Sequence, residues 1–257
     1  MKTLIAIPCM DNVPVEFMAS MLNLRKTADT YYAVNIGSLI YDSRNSFVAT
    51  AIEREYDRVM WFDSDMLFQP DMLELLNADM DNNGLDYVSG LYFNRRLPTA
   101  PVIYSNIEFH AEPNKPVRAK SDIMRNYPKN SMFEIAGSGF GCVLIKTAMM
   151  KDVWEHFGPP FDPITHLGED LSFCYRAKQL GYKMWCDSRA KAGHIGRFIF
   201  DEVINEDTYM NQSGITSDNV KLKLRPVPID KVDDTAAHNT SANGEQHDQA
   251  IDNTERL

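Results

Sequence analysis

A short apolar run that ends in two aspartates is the feature that most restricts how this chain folds. Val59 to Phe62 has the character of a buried strand, Asp63-Ser64-Asp65 ends it, and Pro70 begins a helical pattern. An unpaired carboxylate taken out of water costs several kcal/mol. The two aspartates are therefore predicted to lie at the carboxyl end of the strand, where a cation or hydrogen-bond donors reach them.

A divalent cation is one partner that suits two carboxylates in this position. Mg2+ and Mn2+ prefer oxygen ligands, and Mg2+ is usually held by one or two carboxylates together with the phosphates of a substrate. An Asp-x-Asp at a strand end therefore indicates a metal–diphosphate site. The alternative is a plain strand-to-helix loop in which Asp63 or Asp65 caps the next helix. The tripeptide alone does not separate the two interpretations.

The first third of the chain alternates between strand and helix patterns. Thr3 to Pro8 is apolar almost throughout, as in a strand buried on both faces of a parallel sheet. Further segments follow in the order helix 13–24, strand 31–36, loop 37–43, helix 44–54, strand 59–62, helix 70–79 and strand 87–93. This order predicts an α/β fold with a mostly parallel central sheet and flanking helices.

The second half predicts a small antiparallel part and then a return to the sheet. No sustained period runs from Arg95 to Lys129, so antiparallel strands are expected there. Strands at 133–135 and 142–145 flank a glycine run at 137–141, which indicates either close approach to a ligand or a tight turn. Gly168-Glu169-Asp170 then begins a helix, a strand covers 182–186, and His194 is expected on a glycine-flanked loop.

Charge and composition divide the chain into a domain and a tail. The 257 residues carry a net charge of -10, and half of it lies between Pro226 and Leu257, a stretch poor in large apolar residues. We therefore expect one domain over residues 1–225 and a flexible acidic tail over 226–257. The acidic balance gives no general attraction to nucleic acid.

Membrane insertion and disulfide bonding are not predicted. No apolar run approaches the roughly 20 residues that span a bilayer. The four cysteines, Cys9, Cys142, Cys174 and Cys186, show no Cys-x-x-Cys spacing. They are expected to be buried thiols in a reducing compartment, which favours a cytoplasmic location.

Four motifs occur in an order that resembles the GT-A glycosyltransferases. They are Asp63-Ser64-Asp65 after a strand, the glycine run before a strand, Gly168-Glu169-Asp170 at a helix start, and Gly193-His194. The resemblance extends from residue 1 to about residue 197. It is closest to the family 2-like enzymes and, at Ser43-Arg44-Asn45 and Trp61 to Met66, to the mannosyltransferase-like Anp1 group.

The resemblance implies a metal site and a nucleotide-sugar site. Asp65 would bind Mn2+ or Mg2+ directly, Asp63 would contact the ribose or a metal-bound water, and His194 would complete the metal site. Ser64 and Pro8 are then expected to border a UDP- or GDP-sugar donor. Taken singly, His194 is also consistent with an ordinary packed or surface histidine.

Three further residues have roles that the resemblance implies. In inverting members of that fold, an acid of the Glu-Asp pair removes the proton from the acceptor hydroxyl, and the match falls on Asp170 with Glu169 beside it. Both acids also suit a helix start without any catalytic role, because the helix dipole favours them there. Arg44 is expected to contact a phosphate or the base, and the alternative is an ordinary solvated arginine.

Two departures from family 2 refine the predicted function. Asn35-Ile36-Gly37-Ser38 stands where family 2 members carry acids, so the base is not predicted. The Gln-x-x-Arg-Trp of processive synthases is missing, which favours transfer of a single sugar. We expect a metal-dependent, inverting glycosyltransferase whose acceptor is a glycan, protein, lipid or modified nucleic acid. The alternatives are a nucleotidyltransferase, although Pro8-Cys9-Met10-Asp11 has no phosphate loop, and a non-catalytic carbohydrate-binding protein. No stretch predicts the oligomeric state.

Overall fold

A computed structural model describes residues 1–110, 118–196 and 202. The strands are β1 Thr3–Cys9, β2 Thr30–Ile36, β3 Arg58–Phe62, β4 Met66–Phe68, β5 Tyr87–Leu91, β6 Ile103–His110, β7 Arg118–Ile123, β8 Met132–Ile135, β9 Gly137–Ser138, β10 Cys142–Lys146 and β11 Met184–His194. The helices are α1 Val15–Asn23, α2 Ile40–Glu53, α3 Met72–Asn83, α4 Thr147–Phe157 and α5 Glu169–Gln179. The predicted acidic tail, 226–257, lies outside the described residues, so its flexibility stays a prediction.

The central sheet is mostly parallel, as predicted. Within the described residues it has eight strands in the order β2-β1-β3-β10-β5-β11-β4, with β8 paired to β11 beside this path. Strand β1 runs parallel to β2 and β3, and β5 runs parallel to β11. Strand β10 is antiparallel to both β3 and β5, and β4 and β8 are antiparallel to β11. Strands β2, β1, β3, β5 and β11 therefore share one direction.

The predicted antiparallel part is a separate small sheet. Among the described residues it has three strands in the order β7-β6-β9, and both pairings are antiparallel. It follows the cis peptide bond between Leu97 and Pro98.

Strand β3 lies in the middle of the sheet and is buried on both faces. Its side chains alternate between the two faces, as in any strand. Val59 and Trp61 pack with helices α2, α4 and α5 on one face, whereas Met60 and Phe62 pack with α1 and α3 on the other. All five residues of β3 are buried. The apolar run of the sequence therefore delivers the two aspartates to the carboxyl end of a central strand.

Several predicted boundaries are wrong. Helix α2 begins at Ile40 rather than at Arg44, because Tyr41 packs against the core and extends the buried face beyond the predicted loop. Helix α4 was not predicted. Strand β4 was also not predicted, because three residues are too few to show a period, and it separates the two aspartates from the helix that follows.

The predicted loop around His194 is also wrong. Strand β11 continues past Cys186 to His194, with a register shift between Asp187 and Lys191. Its last residues pair with β4, and His194 lies opposite Met66. This pairing brings the end of the chain's last described strand next to the Asp-x-Asp.

Two further predictions concern the state of the cysteines and the lack of a membrane-spanning segment. All four cysteines are buried free thiols, as expected. In the part of the chain that the structure describes, none of the helices combines the length and the apolar character that crossing a membrane requires.

Candidate functional site

The Asp-x-Asp forms a short connection between strands β3 and β4. The backbone N–H of Asp63 donates to the carbonyl of Gly141 at 3.3 Å, and the N–H of Met66 donates to the carbonyl of Asp63 at 3.2 Å. The backbone carbonyl of Asp65 accepts from the N–H of Ile195 at 2.7 Å. Neighbouring strands thus hold the connection at both ends, and the two carboxylates have different partners.

Asp65 lies between a histidine and an arginine. One carboxylate oxygen, Oδ1, is 3.3 Å from Nε2 of His194, and the other, Oδ2, is 2.7 Å from Nη1 of Arg95. Burial raises the pKa of Asp65, but the His194 ring and the Arg95 guanidinium outweigh burial and lower it below its ordinary value. At neutral pH the carboxylate is therefore ionised and available as a ligand.

Both ring nitrogens of His194 face oxygen atoms that only accept hydrogen bonds. Nδ1 is 3.0 Å from the carbonyl oxygen of Phe93, while Nε2 faces the carboxylate of Asp65. Both contacts are hydrogen bonds only when each nitrogen carries a proton. If a cation replaces the proton on Nε2, the Phe93 carbonyl still holds Nδ1–H, which is the usual arrangement of a metal-binding histidine.

The side chains around Asp65 supply some, but not all, of the ligands that a divalent cation needs. In the described ranges, no three His, Cys, Asp or Glu side chains are gathered as a ready metal site. The pair Asp65 and His194 supplies one oxygen and one nitrogen ligand, and such a pair suits Mn2+ when a diphosphate provides further oxygens. Arg95 is half exposed and can release Oδ2 of Asp65. Asp63, the third predicted ligand, is turned to a different partner, Arg44.

An open cleft of about 380 Å³ lies over the carboxyl ends of β1, β2 and β3. It is lined by Pro8, Cys9, Met10, Gly37, Ser38, Ile40, Ser43, Asp63, Ser64, Asp65, Arg95 and His194. Ligands of open α/β sheets bind in this position, beyond the carboxyl ends of the strands. The structure therefore gathers five of the predicted residues, Pro8, Asp63, Ser64, Asp65 and His194, around one cleft.

Arg95 is a cleft residue that sequence reasoning missed. It follows strand β5, whose carboxyl end lies on the same side of the sheet as that of β3. The pair Arg95-Arg96 after an apolar strand was the available signal. A cation there suits a cleft that receives phosphates, because arginine matches phosphate geometry.

Arg44 is buried, and neither of the two interpretations of it from the sequence matches its position. Its side chain is 2% exposed, so it is not a solvated arginine, and it does not line the cleft. Its Nη2 donates to Oδ1 of Asp63 at 2.8 Å, and its Nε is 3.5 Å from Oε1 of Glu169. A phosphate or base in the cleft would meet Asp63 before Arg44.

Three aromatic rings enclose the Arg44 guanidinium. Its central carbon lies 5.6 Å from the Trp61 ring, 5.3 Å from Phe140 and 5.9 Å from Phe161. Such contacts stabilise a cation most when it is removed from water. Burial alone would lower the pKa of Arg44, but the nearby carboxylates, Asp63 first, outweigh burial and raise it. Arg44 thus remains a fixed positive charge.

The neighbouring asparagine holds the loop that completes this enclosure. Asn45 donates from Nδ2 to Oδ1 of Asp162 at 2.8 Å, and its Oδ1 accepts from the N–H of Phe161 at 2.9 Å. Together with Ser43 on the cleft wall, the Ser-Arg-Asn motif therefore connects the cleft to the loop before helix α5.

Glu169 and Asp170 begin helix α5, as predicted. The N-cap residue, Gly168, provides no side-chain cap, and Oδ1 of Asp170 accepts from the N–H of Leu171 at 2.7 Å. Burial and then the Glu169 carboxylate raise the pKa of Asp170 to about 7, while the Leu171 N–H and Arg44 oppose this rise. Neither acid lines the 380 Å³ cleft, and Arg44 connects them to it.

The glycine run allows close packing within the protein. A Cβ at Gly139 would lie 2.1 Å from the hydroxyl of Tyr92. The same hydroxyl accepts from the N–H of Gly141 at 3.1 Å, and the Tyr92 ring packs edge-on against His194 at 5.8 Å. The glycines therefore let the backbone pass close to Tyr92, whose ring contacts His194, and the expected approach to a ligand stays a prediction.

Comparison with known proteins establishes the fold. No protein-family model matches this chain, and no curated protein matches it. Among solved structures, it is similar to the crystal structure of A197 from STIV, with a TM-score of 0.55 and 21% identity over 76% of this chain and 86% of that one.

A second solved structure places the same fold in a glycosyltransferase. The chain is similar to the crystal structure of GalNAc-T7 with UDP, GalNAc and Mn2+, with a TM-score of 0.52 and 10% identity. That alignment covers 76% of this chain and 44% of the other. The mostly parallel sheet with its small antiparallel partner is therefore the GT-A fold.

Proposed function

We propose that this protein is a metal-dependent glycosyltransferase that moves one sugar from a nucleotide-sugar to an acceptor hydroxyl, with inversion. The observation that carries the proposal is that the buried Arg44 side chain pairs with two carboxylates. Arg44 contacts Asp63 on the cleft wall and Glu169 beside Asp170. A cleft that suits a diphosphate is in this way connected to an acid that suits proton transfer.

The donor occupies the 380 Å³ cleft in this proposal. Asp65 and His194 would hold Mn2+ or Mg2+, and the metal would supply positive charge to the diphosphate leaving group. Arg95, released from Asp65, pairs with a phosphate oxygen. Ser64 and Pro8 border the nucleotide, and Asp63 contacts the ribose or a metal-bound water while Arg44 fixes its orientation.

Asp170 is the proposed general base. Efficient general bases have a pKa near the working pH, and a pKa of about 7 meets this condition. The ionised carboxylate takes the proton of the acceptor hydroxyl as that oxygen attacks the anomeric carbon. The bond from this carbon to the diphosphate oxygen breaks, and its electron pair leaves on the diphosphate. Burial, and then repulsion from Glu169, keep the pKa of Asp170 high.

The finer assignments are part of the same proposal. The order of motifs supports a family 2-like enzyme with features of the Anp1 group, a UDP- or GDP-sugar donor and transfer of a single sugar. The acceptor is a glycan, protein, lipid or modified nucleic acid. The four buried thiols support a cytoplasmic location.

Thermal stability in the presence of nucleotides tests the donor site. A ligand at about 100 times its Kd stabilises a protein by about 2.7 kcal/mol, which raises Tm by roughly 5–10 °C in a protein of this size. UDP, GDP and CMP are compared, each with and without Mn2+, and the proposal expects stabilisation by one nucleotide that depends on Mn2+. Asp65→Ala should abolish this stabilisation, measured against the variant's own ligand-free Tm, which falls somewhat because the ion pairs of Asp65 with Arg95 and His194 are lost.

A matched control and a turnover assay complete the test. Asp122→Ala removes an exposed carboxylate on β7, outside the cleft, and should leave nucleotide stabilisation unchanged. Nucleotide-sugars are then screened for hydrolysis and for transfer. Nucleotide binding without any turnover would favour the non-catalytic alternative, and Mn2+-dependent stabilisation that survives in Asp65→Ala would contradict the donor site proposed here.

A further inference from the structure

Strand β2 is an open edge of the central sheet. It pairs with β1 on one side, and no other strand of the described residues pairs with its outer side. Its sequence, Thr-Tyr-Tyr-Ala-Val-Asn-Ile, has no charge and no proline. Natural proteins usually protect an exposed edge with charged residues, proline or a bulge, or cover it. The strand has a regular seven-residue register with β1, and within the described residues it carries no proline, bulge or charge of its own; one cation, the ammonium group of Lys26, lies 5.0 Å from the centre of the Tyr32 ring.

The outward-facing side chains of β2 are large and apolar. Tyr32, Val34 and Ile36 are 44%, 57% and 68% exposed. They lie opposite Ile5, Ile7 and Cys9 in the parallel register, so they share the face of the sheet that helix α1 covers. The helix covers Ile5 and Ile7, whereas the three side chains of β2 stay exposed apart from the contact of Tyr32 with Lys26.

Helix α1 adds a second apolar row beside this strand. Val15, Met18 and Leu22 are 76%, 45% and 75% exposed, and their spacing places them on one side of the helix. Ser20, on another flank, is bonded to the N–H of Phe68 in β4. Met18 lies on the flank of α1 opposite Ser20, and its row shares a face of the sheet with Tyr32, Val34 and Ile36. We call the two apolar rows together the edge patch.

We propose that the edge patch binds a second copy of this chain, with the two β2 strands paired antiparallel around a two-fold axis at Ala33. In that register Tyr32 of each copy lies opposite Val34 of the other, and Tyr31 lies opposite Asn35. Aromatic and β-branched residues are favourable cross-strand partners. The two α1 helices then lie on the same face, with their exposed rows turned toward each other.

The composition of the patch favours a second copy over an unrelated partner. A two-fold contact requires a surface that is complementary to itself. Strand β2 meets this requirement, because pairing about Ala33 places the aromatic Tyr32 of each copy against the β-branched Val34 of the other. No charged residue of the strand would meet its own copy, although the whole chain carries a net charge of -10.

The area of the patch also suits a stable dimer. Six large apolar side chains with these exposures, together with the backbone edge, approach the area of roughly 800 Å² per partner found in standard interfaces. The proposal is independent of the catalytic function, because none of the six residues lines the cleft.

Sedimentation equilibrium of the full chain over a range of micromolar concentrations tests the proposal. A dimer of the 29.3 kDa chain is expected. Val34→Lys places a charge next to the two-fold axis and should weaken the dimer by about 100-fold or more, because the interface must remove that charge from water. Val34 is 57% exposed, so the monomer fold should tolerate lysine, which an unchanged circular dichroism spectrum checks.

Two further variants separate the edge patch from general surface effects. Phe157→Lys changes an apolar residue that is 44% exposed at the end of α4, and it should leave the dimer unchanged. Val34→Ile keeps the β-branched shape and should also dimerise. A chain that is monomeric at all concentrations would overturn the proposal, and so would a dimer that Val34→Lys leaves as tight as before.

Discussion

Asp170→Asn is expected to stabilise the protein at neutral and alkaline pH while it removes the proposed base. The pKa of Asp170 is raised from 3.8 to about 7, so the folded protein binds its proton more tightly than the unfolded chain does. The contribution of this group to stability is therefore fully present below pH 4 and is lost as the pH rises through about 7. Asparagine has no proton to lose and keeps the oxygen that accepts from Leu171.

The size of the effect follows from the two pKa values. Each pKa unit corresponds to about 1.4 kcal/mol, so a rise from 3.8 to about 7 costs the native state about 4 kcal/mol at most, above pH 8. Asp170 is partly exposed, and solvent screening reduces this cost. We expect a gain of about 2 kcal/mol at pH 8.5, or a Tm higher by roughly 4–8 °C, and a gain close to zero below pH 4.

Thermal unfolding of both proteins between pH 4 and pH 8.5 measures this difference. Asp122→Asn, an exposed aspartate on β7, is the control and should change Tm little at any pH. Transfer by Asp170→Asn should fall by about 100-fold or more, the usual scale for loss of a general base, with nucleotide affinity unchanged. A stability difference that does not grow with pH would refute the raised pKa, and full transfer activity would refute the role as base.

Three further outcomes are expected. Transfer by the unaltered enzyme should rise with pH to a plateau above about 7. Glu169→Gln should move this rise to lower pH, with a milder loss of rate than Asp170→Asn, because burial still raises the pKa of Asp170 but the repulsion from Glu169 is gone; an unmoved profile would contradict the role of Glu169. Arg44→Met should destabilise the protein by about 3 kcal/mol, since it leaves two carboxylates without their cation, and it should move the rise of transfer activity to higher pH. Arg44→Lys should recover part of the stability and part of the pH profile. A loss of stability with an unchanged pH profile would limit Arg44 to a structural role. Truncation before Pro226 should leave Tm within a few degrees, as calorimetry can check, and a large drop would show that the tail contributes to the fold.

The sequence alone determined the features that depend on local pattern. The apolar run before Asp63 has the character of a buried strand, and the same kind of reasoning placed Asp170 in the first turn of a helix. Both predictions are confirmed, because strand and helix periods appear within a few neighbouring residues. Boundaries without a period, such as the start of α2 and the three residues of β4, were missed.

The tertiary structure decided how the site is assembled. His194 meets Asp65 only because the short strand β4 pairs with the end of β11, and no local pattern encodes a pairing between segments so far apart in the chain. Arg44 was expected to contact a phosphate or the base, or else to lie in solvent, since burying a charge is costly. Carboxylates from β3 and α5 and aromatic rings from separate elements together offset that cost. The energy of a buried charge depends on everything that surrounds it, and only the folded chain brings those surroundings together.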